Sequence, residues 1–186
     1  MQVHKARLAG ILMIEPDRFG DHRGFFAETY SRRVYAELGI DVEFVQDNHS
    51  LSAAVGTVRG LHFQMPPHAQ AKLVRCGRGA IFDVAVDIRK GSPTFGQSVG
   101  YELSAENGAQ VFVPAGFAHG FMTLQPDSEI IYKCSDYYAP ETEGAVRWDD
   151  PAIGIDWPLQ GDAILSDKDV VAPILADLDS PFQFER

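Results

Sequence analysis

The stretch "IFDVAVDIR", residues 81–89, alternates as only an extended chain would. Phe82, Val84, Val86 and Ile88 fall on one face of a strand and Asp83 and Asp87 on the other, because successive strand side chains point to opposite faces. Working outward, short β-like segments bounded by Gly, Pro, Asn and Asp recur at 11–14, 24–30, 42–47, 57–64, 70–76, 97–104, 110–113, 118–124 and 128–134. Helix signals are few. "SRRVYAELG", 31–39, offers Ser31 as an N-cap and Gly39 as a stop. "SDKDVVAPIL", 166–175, begins with Ser166 and carries Asp169 at the capping-box position. About ten closely spaced strands and two short helices predict an all-β fold, a sandwich or jelly-roll barrel. With 186 residues and no internal repeat or linker-like run, a single domain over 1–186 is expected.

Hydrophobic residues make up 45% of the chain and charged residues 23%, which is ordinary for a globular protein. The net charge of −10 argues against nucleic acid or an acidic membrane as a partner. A local cluster of Arg and Lys could still hold a small anionic ligand. No apolar run approaches the ~20 residues needed to span a bilayer. "KARLAGILMIEP", 5–16, has a short apolar part with no cleavage pattern after it, so it reads as a first strand of a cytoplasmic protein. Cys76 and Cys134 lack metal-ligand spacing and read as free thiols of the core. The devices of serine hydrolases, P-loop enzymes and Rossmann proteins are missing.

Chemistry concentrates in "VRGLHFQMPPHAQAKLV", 58–74, where Arg59, His62 and Lys72 interrupt apolar residues. On a regular strand His62 shares a face with Gly60 and Gln64, while Arg59 faces oppositely. Both enter one pocket only if the strand is bulged or twisted, and Gly60 permits that. Lys72 shares a face with Val74; it suits a phosphate or a developing oxyanion, or else snorkels at the surface. In "VPAGFAHGF", 113–121, His119 follows a turn at Pro114 and Gly116. Histidines 62 and 119 raise a metal reading of the kind cupin enzymes use. The position two after His62 is Gln64, however, and a neutral amide is a weak transition-metal ligand, so no metal is expected. In "EIIYKCSDYYAPETEG", 129–144, Tyr132 either packs or donates a proton opposite a base. Tyr137 and Tyr138 read as rim packing or a stacking platform, and Glu143 as a solvated loop residue.

Seven blocks together resemble one family: "DHRGFFAETY" (21–30), "VQDNHS" (45–50), "GTVRGLHFQMPPHAQAKLV" (56–74), "DVAVDIRKGSPTFG" (83–96), "LSAENGAQVFVPAGFAHGF" (103–121), "YKCSDYYAPETEGAVRWDDP" (132–151) and "ILSDKD" (164–169). In this order they are similar to the dTDP-4-dehydrorhamnose 3,5-epimerases. The resemblance implies a cupin-like jelly roll, a homodimer, and catalysis without metal or other cofactor. It implies a dTDP-4-dehydro-6-deoxy-D-glucose substrate, whose C4 ketone acidifies the C–H bonds at C3 and C5. Epimerisation through an enolate then needs a base, an acid across the ring, and positive charge near the enolate oxygen.

Matched motif by motif, His62 resembles the base, Asp169 its partner carboxylate and Tyr132 the acid. Capping of the helix begun by Ser166 is an equally good role for Asp169. Lys72 resembles an enolate-stabilising or substrate-binding group, with Asp83 as a supporting charge. Arg23, Glu28, Gln46, Asp47, Asn48, Arg59, His119, Glu143 and Lys168 resemble nucleotide-sugar contacts, and Tyr138 the residue stacked on thymine. Arg23 and Arg59 would suit the diphosphate, since guanidinium pairs well with phosphate oxygens. In such dimers part of a site can come from the partner's N-terminal segment. The alternatives are a sibling inverting only C3 or C5, a metal-dependent cupin oxygenase or isomerase, and a silent sugar-binding cupin.

Overall fold

The computed structural model describes residues 1–184. In chain order come β1 Gln2–Lys5, β2 Leu12–Glu15, β3 Phe19–Asp21, β4 Gly24–Phe26 and the helix α1 Arg32–Glu37. Next are β5 Gln46–Ser52, β6 Val58–Gln64, β7 Lys72–Arg78 and β8 Ala80–Asp87. They are followed by β9 Ser98–Ser104, β10 Gln110–Val113, β11 Phe117–Thr123 and β12 Ser128–Cys134. β13 Glu143–Ala145 and the helix α2 Asp167–Val170 come last. One sheet has the order β1-β2-β10-β7-β12-β5, the other β13-β6-β11-β8-β9, and β3 and β4 form a separate hairpin. The all-β jelly-roll expectation is met, with few and short helices.

Three apolar layers hold the sheets. Between them, Val74, Val111 and Ile130 of the six-stranded sheet meet Ile81, Leu103 and Phe117 of the five-stranded one. The outer face of the five-stranded sheet presents Leu61, Phe63, Val84 and Val86, covered by Val146, Ile153, Trp157 and Leu175 from the C-terminal third. The outer face of the six-stranded sheet presents Ile14, Leu73 and Phe112, covered by Tyr35 and Ile40 in and after α1.

These layers change the reading of residues 81–89. Both faces of β8 are buried: Ile81 and Ala85 flank Asp83 on the inner face, Val84 and Val86 pack on the outer. Asp87 is fully buried and accepts hydrogen bonds from Arg89 Nη2 (2.7 Å), Ser92 Oγ (2.6 Å) and Thr94 Oγ1 (2.7 Å). Burial alone would raise its carboxyl; the bonds from Arg89, Ser92 and Thr94 outweigh that and bring it down to about 2.

Other differences have local causes. A strand expected at 42–47 forms instead at Gln46–Ser52, because β12 supplies a pairing partner for this polar segment from Gln46 to Ser52. Val42 and Phe44 pack on the outer layer instead. The expected 24–30 strand is reduced to Gly24–Phe26, paired only with β3. The 11–14 segment is the second strand, pairing antiparallel with β1. Gly39 ends α1 at φ +88°, while the Ser31 hydroxyl makes no capping bond.

Candidate active site

The inter-sheet space is apolar at one end and polar at the other, where a cavity of about 640 Å³ opens. Strand alternation sets its lining. On β6, Leu61 and Phe63 face the outer layer, which turns His62 inward. On β7 Lys72 lies two residues from Val74, on β11 His119 lies between Phe117 and Phe121, and on β12 Tyr132 lies two from Ile130. Each is one alternation step beyond a core residue.

Arg59 and His62, three positions apart, both line the cavity. The pairing of β6 with β11 shifts register between His119 and Phe121, opposite this point. Gly60 has φ +124°, a region side-chain-bearing residues rarely adopt. A Cβ there would lie 2.7 Å from Gly120 Cα and 2.8 Å from the His119 carbonyl oxygen, so the close strand approach also requires glycine.

His62 Nε2 lies 2.5 Å from Asp169 Oδ1. Asp169 is 2% exposed, and its other oxygen accepts from Ser166 Oγ at 2.7 Å. Ser166 also accepts from the Asp169 backbone N–H, so the helix cap and the histidine pair are one construction. With Nε2–H donated to a carboxylate, Nδ1 keeps the free lone pair. Burial, foremost, pushes the His62 imidazole below its ordinary value; Lys168 and Lys72 push the same way and Asp169 opposes them. A neutral imidazole with an available lone pair is a base. Burial raises the Tyr132 phenol, which keeps it a proton donor near neutral pH, and burial likewise lowers the Lys72 ammonium.

At the rim, Glu143 accepts from Lys168 Nζ (2.7 Å) and from the Tyr138 hydroxyl (3.4 Å). Gln46 accepts from the Tyr138 backbone N–H at 3.0 Å and donates to Asn48 at 3.0 Å. Arg59 donates to Ser52 Oγ at 3.2 Å. All of these rim residues except Ser52 line the cavity.

Three of the residues matched to nucleotide-sugar contacts do not line it. Arg23 sits in the exposed β3–β4 turn, paired with Asp21, and Glu28 follows that hairpin. Asp47 faces away because its neighbours Gln46 and Asn48 face in; it pairs with Lys133 at 2.8 Å, its register partner on β12. The same alternation places Ser50 in the cavity, a residue the motif blocks did not single out. Gln64 is committed elsewhere: its amide donates to the carbonyls of His68 (2.7 Å) and Tyr137 (3.1 Å) and accepts from the Ala139 N–H (3.0 Å). No group of three or more His, Cys, Asp or Glu among the described residues could hold a metal ion. Nor is any helix among them long and apolar enough to cross a membrane.

Fold and site together define a cupin-like jelly roll with a cavity between its sheets lined by ionisable side chains. The model of the dTDP-4-dehydrorhamnose 3,5-epimerase family matches residues 5–177, and the chain belongs to this family, whose members are isomerases. The dTDP-4-dehydrorhamnose 3,5-epimerase of Sinorhizobium fredii is 54% identical over 186 residues, covering 100% of this chain and 95% of that one. A Legionella pneumophila dTDP-6-deoxy-D-glucose-3,5-epimerase in complex with dTDP-4-keto-L-rhamnose superposes with a TM-score of 0.96 at 46% identity, covering 100% and 99% of the two chains. A 3′-monoepimerase from Streptomyces bikiniensis in complex with dTDP-quinovose is similar at TM-score 0.88 and 39% identity, over 93% and 87%.

Proposed function

We propose that the protein converts dTDP-4-dehydro-6-deoxy-D-glucose to dTDP-4-dehydro-β-L-rhamnose, inverting C3 and C5 through an enolate. One observation carries this reading. His62 enters the cavity from one sheet and Tyr132 from the facing sheet, so a base and an acid address a bound ring from two sides. His62 Nδ1 removes the proton next to the C4 ketone, and Asp169 stabilises the imidazolium that forms. Lys72 holds the enolate oxygen. Tyr132 returns a proton to the opposite face. Arg59 and His119 take the diphosphate end, Gln46 and Asn48 support the nucleotide, and Tyr138 stacks on thymine beside Glu143 and Lys168.

Incubating the protein with the 4-keto sugar nucleotide in heavy water tests this. Deuterium is expected at both C3 and C5, without added metal. Incorporation at one carbon would move the assignment to a single-carbon epimerase, the activity named for the similar Streptomyces bikiniensis protein. Incorporation at neither would refute it.

We also propose a cytoplasmic homodimer of one-domain chains, and the β3–β4 hairpin supports its dimeric part. Phe19, Phe25 and Phe26 are 66%, 62% and 70% exposed, a density of apolar surface that asks for a cover. A second copy supplies that cover and receives Arg23 and Glu28 in its own cavity. Mixing inactive Arg23→Ala and His62→Ala chains should then restore activity, because a hybrid dimer holds one complete site. No restoration would count against the exchange. The buried free thiols Cys76 and Cys134 fit a reducing compartment.

A further inference from the structure

Asp83 is a buried carboxylate to which the scheme above gives no task. It is 1% exposed, and on β8 it lies between Ile81 and Ala85, which face the inter-sheet core. Its side chain therefore enters the space between the sheets. Lys72 enters the same space from the facing sheet, two residues from Val74 of the same core. Asp83 Oδ2 lies 2.9 Å from His119 Nε2. Asp83 Oδ1 is buried with no hydrogen-bond partner, the one such side-chain atom among the described residues.

The contrast with Asp169 is informative. Both Asp169 oxygens are engaged, one by His62 and one by Ser166. Asp83 has one engaged oxygen and one bare. A buried carboxylate with a bare oxygen is costly unless positive charge compensates it. His119 on the neighbouring strand β11 engages the first oxygen, and Lys72 brings a basic group into the same inter-sheet space from the facing sheet.

We propose that Asp83 is a positioning residue for the epimerisation: its carboxylate fixes the His119 ring through Nε2–H and supplies the countercharge that keeps Lys72 cationic. The proposal rests on the reading of Lys72 as the group that holds the enolate oxygen. Titratable groups face Lys72 from four elements: the Cys134 thiol on β12, Asp83 on β8, Glu143 on β13 and Lys168 on α2, with the His62 imidazole on β6 beside them. Burial lowers its ammonium most and Lys168 lowers it further, while Cys134, Asp83 and Glu143 raise it. Removing the Asp83 charge lowers it again, so Lys72 loses its proton at lower pH.

Asp83→Asn keeps the shape and an acceptor for His119 while removing the charge. Turnover should fall roughly 10- to 100-fold, the range seen when carboxylates orienting metal-bound histidines are removed. Affinity for dTDP and thermal stability should hold. The alkaline limb of the rate profile should move down by about one pH unit, the low end for loss of a nearby opposite charge. Turnover and profile both unchanged would overturn the proposal.

Adding Asp83→Asn to Lys72→Gln should cost little more than Lys72→Gln alone; losses that multiply would show that Asp83 acts independently of Lys72. Should Asp83→Asn not fold, ¹⁵N shifts of the His119 imidazole in the unmutated protein decide. Protonated Nε2 supports the proposal, and a proton on Nδ1 alone overturns it. Absence of heavy-water exchange in the unmutated protein would overturn the epimerase reading itself. Normal exchange with an unaffected Asp83→Asn variant would overturn only the role of Asp83.

Discussion

The two ends of the space between the sheets are built from the same strands yet serve opposite purposes. At one end Val74, Ile81, Leu103 and Val111 pack into the inner core. At the other, Lys72 and Tyr132 stand two residues along from Val74 and Ile130 on the same two strands, with His62 and His119 beside them. Alternation sends both sets inward, and only the residue type differs. Burying ionisable groups costs free energy that the apolar end offsets, at ~25 cal/mol per Å² of apolar surface removed from water. In exchange, burial lowers His62 and Lys72 and raises Tyr132, directions that suit the acid–base roles proposed for them. The comparison predicts a clean division: substitutions at the polar end should cost rate, those at the apolar end stability.

The largest effect falls at the polar end. His62→Ala should lower turnover by ~10²–10⁴-fold, the usual worth of a general base. Its dTDP affinity and melting temperature should stay near those of the unmutated protein. A variant that melts early would mean His62 carries structure as well, and near-normal turnover would mean the base is elsewhere.

At the apolar end, Leu103→Ala should destabilise the fold by about 2–5 kcal/mol, combining lost burial with a cavity. Leu103 is fully buried and does not line the active-site cavity. Chemical denaturation measures the first; kcat of the protein still folded should be little changed. A large loss of kcat at normal folded fraction would break the division.

A smaller effect tests a buried charge outside both ends. The Asp87 carboxyl is held at about 2 in the fold, against an ordinary value of ~4 when unfolded. A depressed carboxylate stabilises the fold above the unfolded value and loses that contribution as pH falls through the folded one. Asp87→Asn should therefore cost stability at neutral pH and flatten the stability curve between about pH 4 and pH 2. An unaltered acid profile would show that the ring of Arg89, Ser92 and Thr94 bonds contributes nothing.

Much of this was legible in the sequence wherever alternation and composition agreed. Residues 81–89 announce a strand, and Gly60 between Arg59 and His62 announces the irregularity that brings both into one cavity. What stayed hidden depended on partners distant in sequence. "QDNHSLS" is too polar to read as a strand, and only its pairing with β12 makes it one. Motif matching grouped Asp47 with Gln46 and Asn48, but the strand turns it away towards Lys133. Asp169 could be read as cap or as histidine partner. It is both, one oxygen for each, because His62 lies 107 residues earlier in the chain and directly beside it in space.

The central claim is that base and acid stand on facing sheets, and Tyr132→Phe in heavy water tests it most directly. His62 should still remove protons and return solvent deuterons to the same face. Deuterium should then enter the substrate with its configuration retained, while formation of the inverted sugar falls by ~10²-fold or more. Inversion at close to the normal rate in this variant would contradict the account, since a proton would then reach the far face without Tyr132.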